Sequence, residues 1–437
     1  MAAVNPFPIA RRAQGGMAGT LARYALAAFA AGALLAGALR CKTGAQPLLA
    51  SQLAGAFLIY AVKRPGARSL LRAAAGALAF AVGYALLRGK WPGAFVYWPL
   101  VVGAFLGLGG LLALLVELFW SAPGSAARRE VANSLFAVGV LPLMLIATFL
   151  AHGVTRHLHP MTYDRFLYAF DGALGCQPGY SLGRLFAASP PLAVVSNLVY
   201  VTLPLPAALV YISHLKAREG SPELVLRVFL GIGVAGFFMY QICPATGPVY
   251  AFGHFPSNPP VFSLSDLVPI PIRGGFLNAM PSLHVAWALA LLWNCRPGQA
   301  GWRAAAGVYL FFTILATLGT GEHYLADLVA AFPFTLAIQA ACTTAAELRS
   351  RESRRALCFG GAAALAWPIA LRTSLPSLLS YPRLSWILAG ATVIAAVILA
   401  WPLLQAQSSP APKPGAAPEY AGAIGASEGK FPCCSPS

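Results

Sequence analysis

The chain has 437 residues, of which 58% are hydrophobic and only 10% are charged. A soluble domain carries about 25% charged residues, so this composition excludes a soluble globular protein and indicates a membrane protein with several spans. The formal net charge is +17, but the Lys and Arg residues punctuate apolar runs instead of forming one basic face, which excludes nucleic acid as a partner. The eight cysteines show no CxxC or Cys/His spacing and predict neither a zinc site nor a disulfide framework.

Apolar runs along the chain predict about twelve transmembrane helices. In chain order they cover residues 21–39, 48–62, 73–88, 95–119, 131–151, 192–212, 224–243, 279–294, 303–319, 323–343, 356–371 and 385–404. We therefore expect an all-α polytopic membrane protein with an N-terminal membrane region over 1–125, a central six-helix domain over 131–345, two C-terminal helices over 356–404 and a disordered tail over 405–437.

Basic residues set the expected orientation in the membrane. With the N-terminus in the cytoplasm, Lys and Arg are in excess on the cytoplasmic side, and the clusters within 63–72 and 349–355 contribute most. The two longest loops, 152–191 and 244–278, then lie on the extracytoplasmic side. The first contains a periodic stretch suited to the membrane surface, and the second is rich in Pro and Gly, which suits a pocket wall or lid. The composition is typical of a bacterial protein, so we expect an inner-membrane location.

Two short motifs contain the residues that can perform chemistry. They are Met280-Pro281-Ser282-Leu283-His284 and Gly321-Glu322-His323-Tyr324-Leu325-Ala326-Asp327. Their histidines are about 40 residues apart, which corresponds to two crossings of about 20 residues each and returns both to one membrane face. His323 and Asp327 share a helix face, so the carboxylate can hold one ring nitrogen while the other attacks. His284, at a helix start, can stabilise a phosphoryl oxygen and protonate a leaving alkoxide.

Other interpretations of the same residues stay open from the sequence alone. A single histidine at a helix end is more often a solvated or packing residue, and a His–Asp pair can be purely structural. His284, His323 and Asp327 together can also bind a metal ion, although no fourth ligand is evident. His152 belongs to a histidine cluster at a helix end that suits interfacial anchoring, and no role follows for Glu117.

At these motifs the chain resembles the type 2 phosphatidic acid phosphatase superfamily, which includes vanadium haloperoxidases, and within it the inositol phosphorylceramide synthase-like (inositolphosphotransferase) branch. Residues 280–284 resemble the Pro-Ser-x-His motif, residues 323–327 resemble the His-x-x-x-Asp motif, and residues 243–250 resemble the Pro/Gly segment before them. The resemblance covers about 131–345 and implies a six-helix lipid phosphatase/haloperoxidase-like catalytic core without metal or organic cofactor.

The resemblance also assigns roles to the motif residues. His323 attacks phosphorus, Asp327 orients it, and His284 protonates the leaving group. The chain departs from the broader superfamily at the phosphate clamp, because Ala316 and Thr317 stand where a Ser-Arg pair is expected and no Lys-x(6)-Arg-Pro motif is evident. The remaining candidate donors to a substrate phosphate are Arg273, Asn278, Ser282 and Tyr250.

These observations predict an integral membrane phosphatase or phosphotransferase that acts on a lipid-linked phosphate or phosphoalcohol through a phosphohistidine intermediate. Inositol transfer to a sphingolipid-like acceptor is one form of this activity. A covalent intermediate accepts either water or a polar alcohol as the second substrate. The expected partners are a membrane lipid and that acceptor. A non-catalytic lipid-binding protein or a transporter is the alternative, which twelve helices also suit.

Overall fold

A computed structural model describes residues 46–88, 98–217, 221–295, 300–343 and 345–408. These residues are almost entirely helical. The helices are α1 (Gln46–Lys63), α2 (Ala67–Arg88), α3 (Trp98–Trp120), α4 (Ala126–Leu158), α5 (Asp164–Ala173), α6 (Pro178–Ala188), α7 (Pro190–Val201), α8 (Pro204–Leu215), α9 (Pro222–Ile242), α10 (Pro248–Ala251), α11 (Leu283–Trp293), α12 (Ala300–Gly319), α13 (Leu325–Ala341), α14 (Ala345–Leu348), α15 (Arg351–Thr373), α16 (Leu375–Ser380) and α17 (Pro382–Ser408). The predicted span over 21–39 lies outside the described residues, as do residues 409–437 of the predicted disordered tail over 405–437. Helix α17 continues to Ser408, so the first four residues of that predicted tail are helical.

Seven of the described helices are long and apolar enough to cross a membrane, namely α2, α3, α4, α9, α12, α15 and α17. Helices α1, α8, α11 and α13 are apolar but shorter, and α6 with α7 forms a pair bent by 118°. Large apolar side chains such as Leu71, Phe119 and Trp401 are exposed, as expected of helices that face lipid. The all-α polytopic membrane character is therefore confirmed, whereas the total of twelve spans and the six-helix core stay predictions.

One predicted span is divided in the structure. The sequence predicts a continuous helix over 192–212, but α7 ends at Val201 and α8 begins at Pro204. Proline has no N–H to continue the hydrogen bonds of α7, and its ring restricts the residue before it. The division leaves α7 free to follow α6 in the bent pair, with only Ser189 between the two helices.

Glycines allow the N-terminal helices to pack closely. A Cβ added at Gly107 of α3 would lie 2.0 Å from the carbonyl oxygen of Leu53 in α1, and one at Gly109 would lie 2.0 Å from that of Ala73 in α2. Small residues let apolar helices approach where lipid and protein are equally apolar. Helix α1 also packs against α4 and α8, so the N-terminal region contacts the central domain directly.

Glu117, near the end of α3, is paired with basic side chains. Its carboxylate lies 2.7 Å from Arg72 and 3.7 Å from Arg64, and Arg64 also lies 3.4 Å from Glu130. These contacts join α2, and the turn between α1 and α2, to the last part of α3 and the first part of α4. Glu117 therefore connects three helices at this end of the bundle.

The two long connections, 152–191 and 244–278, are ordered and joined to each other. The periodic stretch of the first forms the amphipathic helices α5 and α6. A short antiparallel sheet pairs β1 (Met161–Thr162) from the first connection with β2 (Ile270–Pro271) from the second. The two connections therefore meet at the end of the bundle that carries both histidine motifs.

Candidate active site

The ring of His323 is held on its Nδ1 side. His323 lies two residues before α13 and is 1% exposed. Its Nδ1 lies 2.9 Å from the carbonyl oxygen of Ala279 and 3.4 Å from Oδ2 of Asp327. A carbonyl oxygen only accepts hydrogen bonds, so Nδ1 carries the proton and Nε2 keeps a free lone pair. The neutral ring is thus in the tautomer that a nucleophilic Nε2 requires.

The Nε2 side of the ring faces the start of α11. Nε2 lies 3.4 Å from Oγ of Ser282, which is fully buried. The backbone N–H of Ser282 donates to the carbonyl oxygen of Asp327 at 3.2 Å. These two contacts fix the start of α11 against the start of α13, and thereby relate the two motifs in space.

Asp327 serves both the histidine and its own helix. Its Oδ2 accepts a hydrogen bond from the backbone N–H of Tyr324 at 2.7 Å, which caps the start of α13. The same oxygen contacts Nδ1 of His323. Its Oδ1 is buried and has no hydrogen-bond partner among the described residues. The carboxylate is therefore held in place while one oxygen stays unsatisfied.

His284 lies in the first turn of α11 and is stacked on Tyr200. The two ring centroids are 3.7 Å apart and the ring planes differ by 20°. Trp287, one turn further along α11, meets the His284 ring edge to face at 6.1 Å. Ser282, which contacts the His323 ring, lies two residues before His284. The structure thus brings both motif histidines to the same end of the bundle.

Two buried aspartates of α5 fix the loops around His323. Asp164 accepts hydrogen bonds from the backbone of Thr246 and Gly247 and from the hydroxyl of Tyr324, at 2.8–3.2 Å. Asp171 accepts the backbone N–H groups of the first two residues of α13, at 2.9 and 3.3 Å. Burial raises the pKa of both carboxyl groups, that of Asp171 to about 8.

The Pro/Gly segment before the motifs passes directly over Glu322. Gly247 has a φ of 92°, in the left-handed region that favours glycine. A Cβ added there would lie 2.3 Å from the carbonyl oxygen of Glu322. The glycine is therefore required both for the turn and for the close approach to the residue that precedes His323.

A cavity of about 450 Å³ opens beside these residues. Its wall is mostly apolar and is built from α1, α4, α7, α8, α9 and α11 together with the second long connection. His284 and Glu322 line it, whereas His323 is not part of the described wall. Gln52 of α1 and His152 of α4 also face the cavity, and each has a buried polar atom without a hydrogen-bond partner among the described residues. The size and the mostly apolar lining of this cavity are typical of a small-molecule site.

The predicted phosphate donors occupy different positions. Asn278 and Tyr250 line the cavity. Ser282 is buried next to His323. Arg273 is exposed and does not line the described cavity wall. Three of the four candidates are therefore near the histidines or their cavity, and the role of each as a phosphate ligand stays a prediction.

Glu322 was assigned no role from the sequence, although it lies next to His323 in the motif. Its Oε2 accepts a hydrogen bond from the hydroxyl of Tyr200 at 2.6 Å, and its carboxylate also accepts one from Tyr250. Burial and the nearby carboxylate raise the pKa of Tyr250 to about 12, so this hydroxyl stays protonated and donates. Position beside the nucleophile candidate is the only sequence signal for Glu322. The carbonyl of Ala279 gave no signal, because every residue has one.

Among the residues that the structure describes, no three His, Cys, Asp or Glu side chains converge as metal ligands. The polar groups at the site are thus two imidazoles, the carboxylates of Asp327 and Glu322, and hydroxyl or amide donors. Such a set can perform nucleophilic and acid–base chemistry.

The comparisons with known proteins agree with the motifs. Residues 165–341 match the model of the PAP2 superfamily. The matched range begins in α5, ends with α13 and contains His284, His323 and Asp327. The searches of curated proteins and of solved structures found no match. The superfamily match points to a phosphatase or phosphotransferase and leaves the inositol phosphorylceramide synthase-like branch a prediction.

Proposed function

We propose that the chain is a membrane phosphatase or phosphotransferase that acts on a lipid-linked phosphate or phosphoalcohol through a phosphohistidine at His323. The observation that carries this proposal is the tautomer of His323, whose Nδ1 proton is directed at the Ala279 carbonyl while the unprotonated Nε2 faces the Ser282 hydroxyl. The apolar cavity beside His284 supports a lipid as substrate. The PAP2 superfamily match supports the reaction class.

The proposed reaction has two steps. The substrate phosphate first takes the place of the Ser282 hydroxyl beside Nε2 of His323. Nε2 then attacks phosphorus, and the bond between phosphorus and the leaving oxygen breaks. His284, entering the step protonated, gives its proton to that oxygen. In the second step water or an alcohol attacks the phosphohistidine, gives its proton to His284 and releases His323. Asp327 stabilises the positive charge that develops on the His323 ring.

The second substrate decides between hydrolysis and transfer. Water gives a lipid phosphatase, and a polar alcohol gives a transferase. The motif resemblance makes inositol the first alcohol to test, with a sphingolipid-like molecule as the other partner. We propose that the reaction takes place at the extracytoplasmic face of a bacterial inner membrane, because the basic residues lie mainly at the other end of the helices.

Product analysis with labelled lipids tests this function. Purified protein is incubated with radiolabelled phospholipids, with and without free inositol, and the products are identified by mass spectrometry. We expect release or transfer of the phosphoryl or phosphoalcohol group, and loss of that activity in His323→Ala. His157→Ala is the matched control, because His157 is exposed near the end of α4.

The outcomes separate the candidate functions. Full activity in His323→Ala would show that His323 is not the nucleophile. Phosphate release that inositol does not change would remove inositol transfer and leave a phosphatase. Lipid binding without turnover in any condition would favour the non-catalytic lipid-binding protein or the transporter.

A further inference from the structure

The cavity beside His284 carries an unusual charge for a phosphate site. Among the described residues of its wall, Glu322 is the sole carboxylate and neither Lys nor Arg is present. Glu322 also makes no ion pair with any described residue. A phosphate monoester dianion would add two negative charges next to this carboxylate. His284, which is protonated in the proposed reaction, would offset one of these charges, so the wall favours a ligand that also brings its own cation.

The Glu322 carboxylate is held rigidly but is not neutralised. Its two hydrogen bonds come from the hydroxyls of Tyr200 and Tyr250. Both are uncharged donors, so they fix the carboxylate and leave its negative charge available to a ligand. A partly buried charge without a counter-ion is costly, and a cationic group in the cavity would offset that cost.

Aromatic side chains also line the cavity. Tyr200, Tyr250, Trp287 and Phe276 all contribute to the wall that Glu322 and His284 line. The faces of such rings attract ammonium groups, and quaternary ammonium ligands are recognised in this way. A carboxylate among aromatic rings is therefore suited to a cation and offers less to a neutral polyol.

We propose that Glu322 and these rings bind the ammonium group of a zwitterionic phospholipid headgroup, such as that of phosphatidylcholine, while its phosphodiester lies near His284 and its chains fill the apolar part of the cavity. The ammonium would face the Glu322 carboxylate and the phosphodiester would face His284, which is protonated in the proposed reaction, so each charge of the ligand meets an opposite charge of the wall. This inference rests on the proposed function, and it specifies the headgroup of the donor lipid as zwitterionic.

Competitive lipid binding tests the inference without turnover. His323→Ala protein is mixed with equal amounts of phosphatidylcholine and phosphatidylinositol of identical chains, and bound lipid is counted by native mass spectrometry. We expect phosphatidylcholine to be preferred by about tenfold. Phosphatidylinositol preferred or bound equally would overturn the inference.

A neutral isostere of phosphatidylcholine tests whether the positive charge of the headgroup contributes to binding. Phosphatidyl-3,3-dimethylbutanol differs from phosphatidylcholine by a carbon in place of the ammonium nitrogen, so shape and aromatic contact area are preserved. We expect it to bind about tenfold more weakly than phosphatidylcholine. Equal binding of the two lipids would show that the cavity does not recognise the positive charge, and this result needs no variant at position 322.

Glu322→Gln tests the residue itself. We expect the preference for phosphatidylcholine over its neutral isostere to fall to about unity, because the amide keeps the size but not the charge. Glu352→Gln, in the first turn of α15 and away from the cavity, is the control that keeps the preference. An unchanged preference in Glu322→Gln would overturn the assignment. Preferential binding of phosphatidylcholine without its turnover would instead count against the proposed function and leave the binding site intact.

Discussion

At the scale of single residues, a backbone carbonyl fixes the tautomer of the proposed nucleophile, His323. The Ala279 oxygen lies 2.9 Å from Nδ1 of His323, closer than the 3.4 Å to Asp327. The carbonyl alone selects the tautomer, and the carboxylate adds negative charge close to the ring. The two partners therefore have separable effects, which substitution of Asp327 can distinguish.

Asp327→Asn should lower kcat by about 10- to 100-fold without abolishing turnover. The Ala279 carbonyl still holds the Nδ1 proton, but the positive charge that develops on His323 loses its counter-charge. Single-turnover assays on the labelled lipid, beside His323→Ala, measure the difference. A loss equal to or larger than that of His323→Ala would contradict this division of roles. A thermal unfolding midpoint near that of the wild type excludes misfolding.

The sequence predicted the histidines because their motifs are local. His323 and Asp327 are one helical turn apart, and His284 belongs to its own short motif, so each was visible within a few residues. The contacts of Glu322 with its two tyrosines were not visible, because Tyr200 lies in α7 and Tyr250 in α10, both far from Glu322 in the chain. Contacts between segments far apart in the chain leave no pattern in one sequence.

At the scale of elements, the start of α13 depends on carboxylates from two helices. Asp327 caps it from within, and Asp171 accepts its first free N–H groups from α5. Unpaired N–H groups at a helix start normally favour an anion. Here the buried side chain of Asp171 already accepts them, so the substrate phosphate is expected to bind closer to α11.

Asp171→Asn should flatten the pH dependence of stability. Burial raises the pKa of Asp171 from 3.8 to about 8, so the folded protein keeps a proton there that the unfolded chain has released. Its stabilising contribution is complete below the unfolded pKa and is lost as pH rises to about 8, at a slope of up to about 1.4 kcal/mol per pH unit. Thermal unfolding in detergent between about pH 5 and 8 measures the slope.

The control for this titration is Asp266→Asn. Asp266 is half-buried, and the hydrogen bonds from Ser263 lower its pKa, so it titrates below the tested window. Its variant should keep the slope of the wild type. Equal slopes for Asp171→Asn and the wild type would show that Asp171 is ionised throughout this range.

Gly247→Ala should destabilise the site by about 1–3 kcal/mol or more. The added Cβ requires a left-handed backbone conformation and would lie 2.3 Å from the Glu322 carbonyl oxygen, so the loop or the residue before His323 must shift. The midpoint temperature of thermal unfolding and the turnover rate should both fall. Gly253→Ala is the matched control, since a Cβ there meets nothing within 4 Å. Similar behaviour of the two variants would contradict the close-packing argument.

Element boundaries were predictable where apolar runs are uninterrupted. The run 224–243 corresponds to Pro222–Ile242 and the run 303–319 to Ala300–Gly319. The division of 192–212 was missed, because hydropathy is continuous across Pro204 while backbone hydrogen bonding is not. The β1–β2 pair was also missed, since two-residue strands have no periodicity that a sequence can reveal.

At the scale of the whole molecule, the candidate active site lies at one end of α4 and the ion pairs of Arg64 lie at the other. This helix has 33 residues, which corresponds to about 50 Å at 1.5 Å per residue. The turn before it lies near the ion pairs of Arg64, Glu117 and Glu130, and the strand after it pairs with the loop that precedes His284. A helix of this length exceeds the thickness of the hydrocarbon core, so its two ends can reach opposite surfaces.

An epitope inserted after Val261 should be accessible from the extracytoplasmic side. Val261 is 96% exposed in the connection that bears β2, so an insertion there disturbs little packing. Antibody binding to intact spheroplasts measures its location. The matched insertion after Pro123, in the exposed turn between α3 and α4, should be detected only after permeabilisation, because the arginines beside this turn favour the cytoplasm. The reverse pattern would place the histidines on the cytoplasmic face, and a lipid substrate would then have to enter the cavity from the inner leaflet.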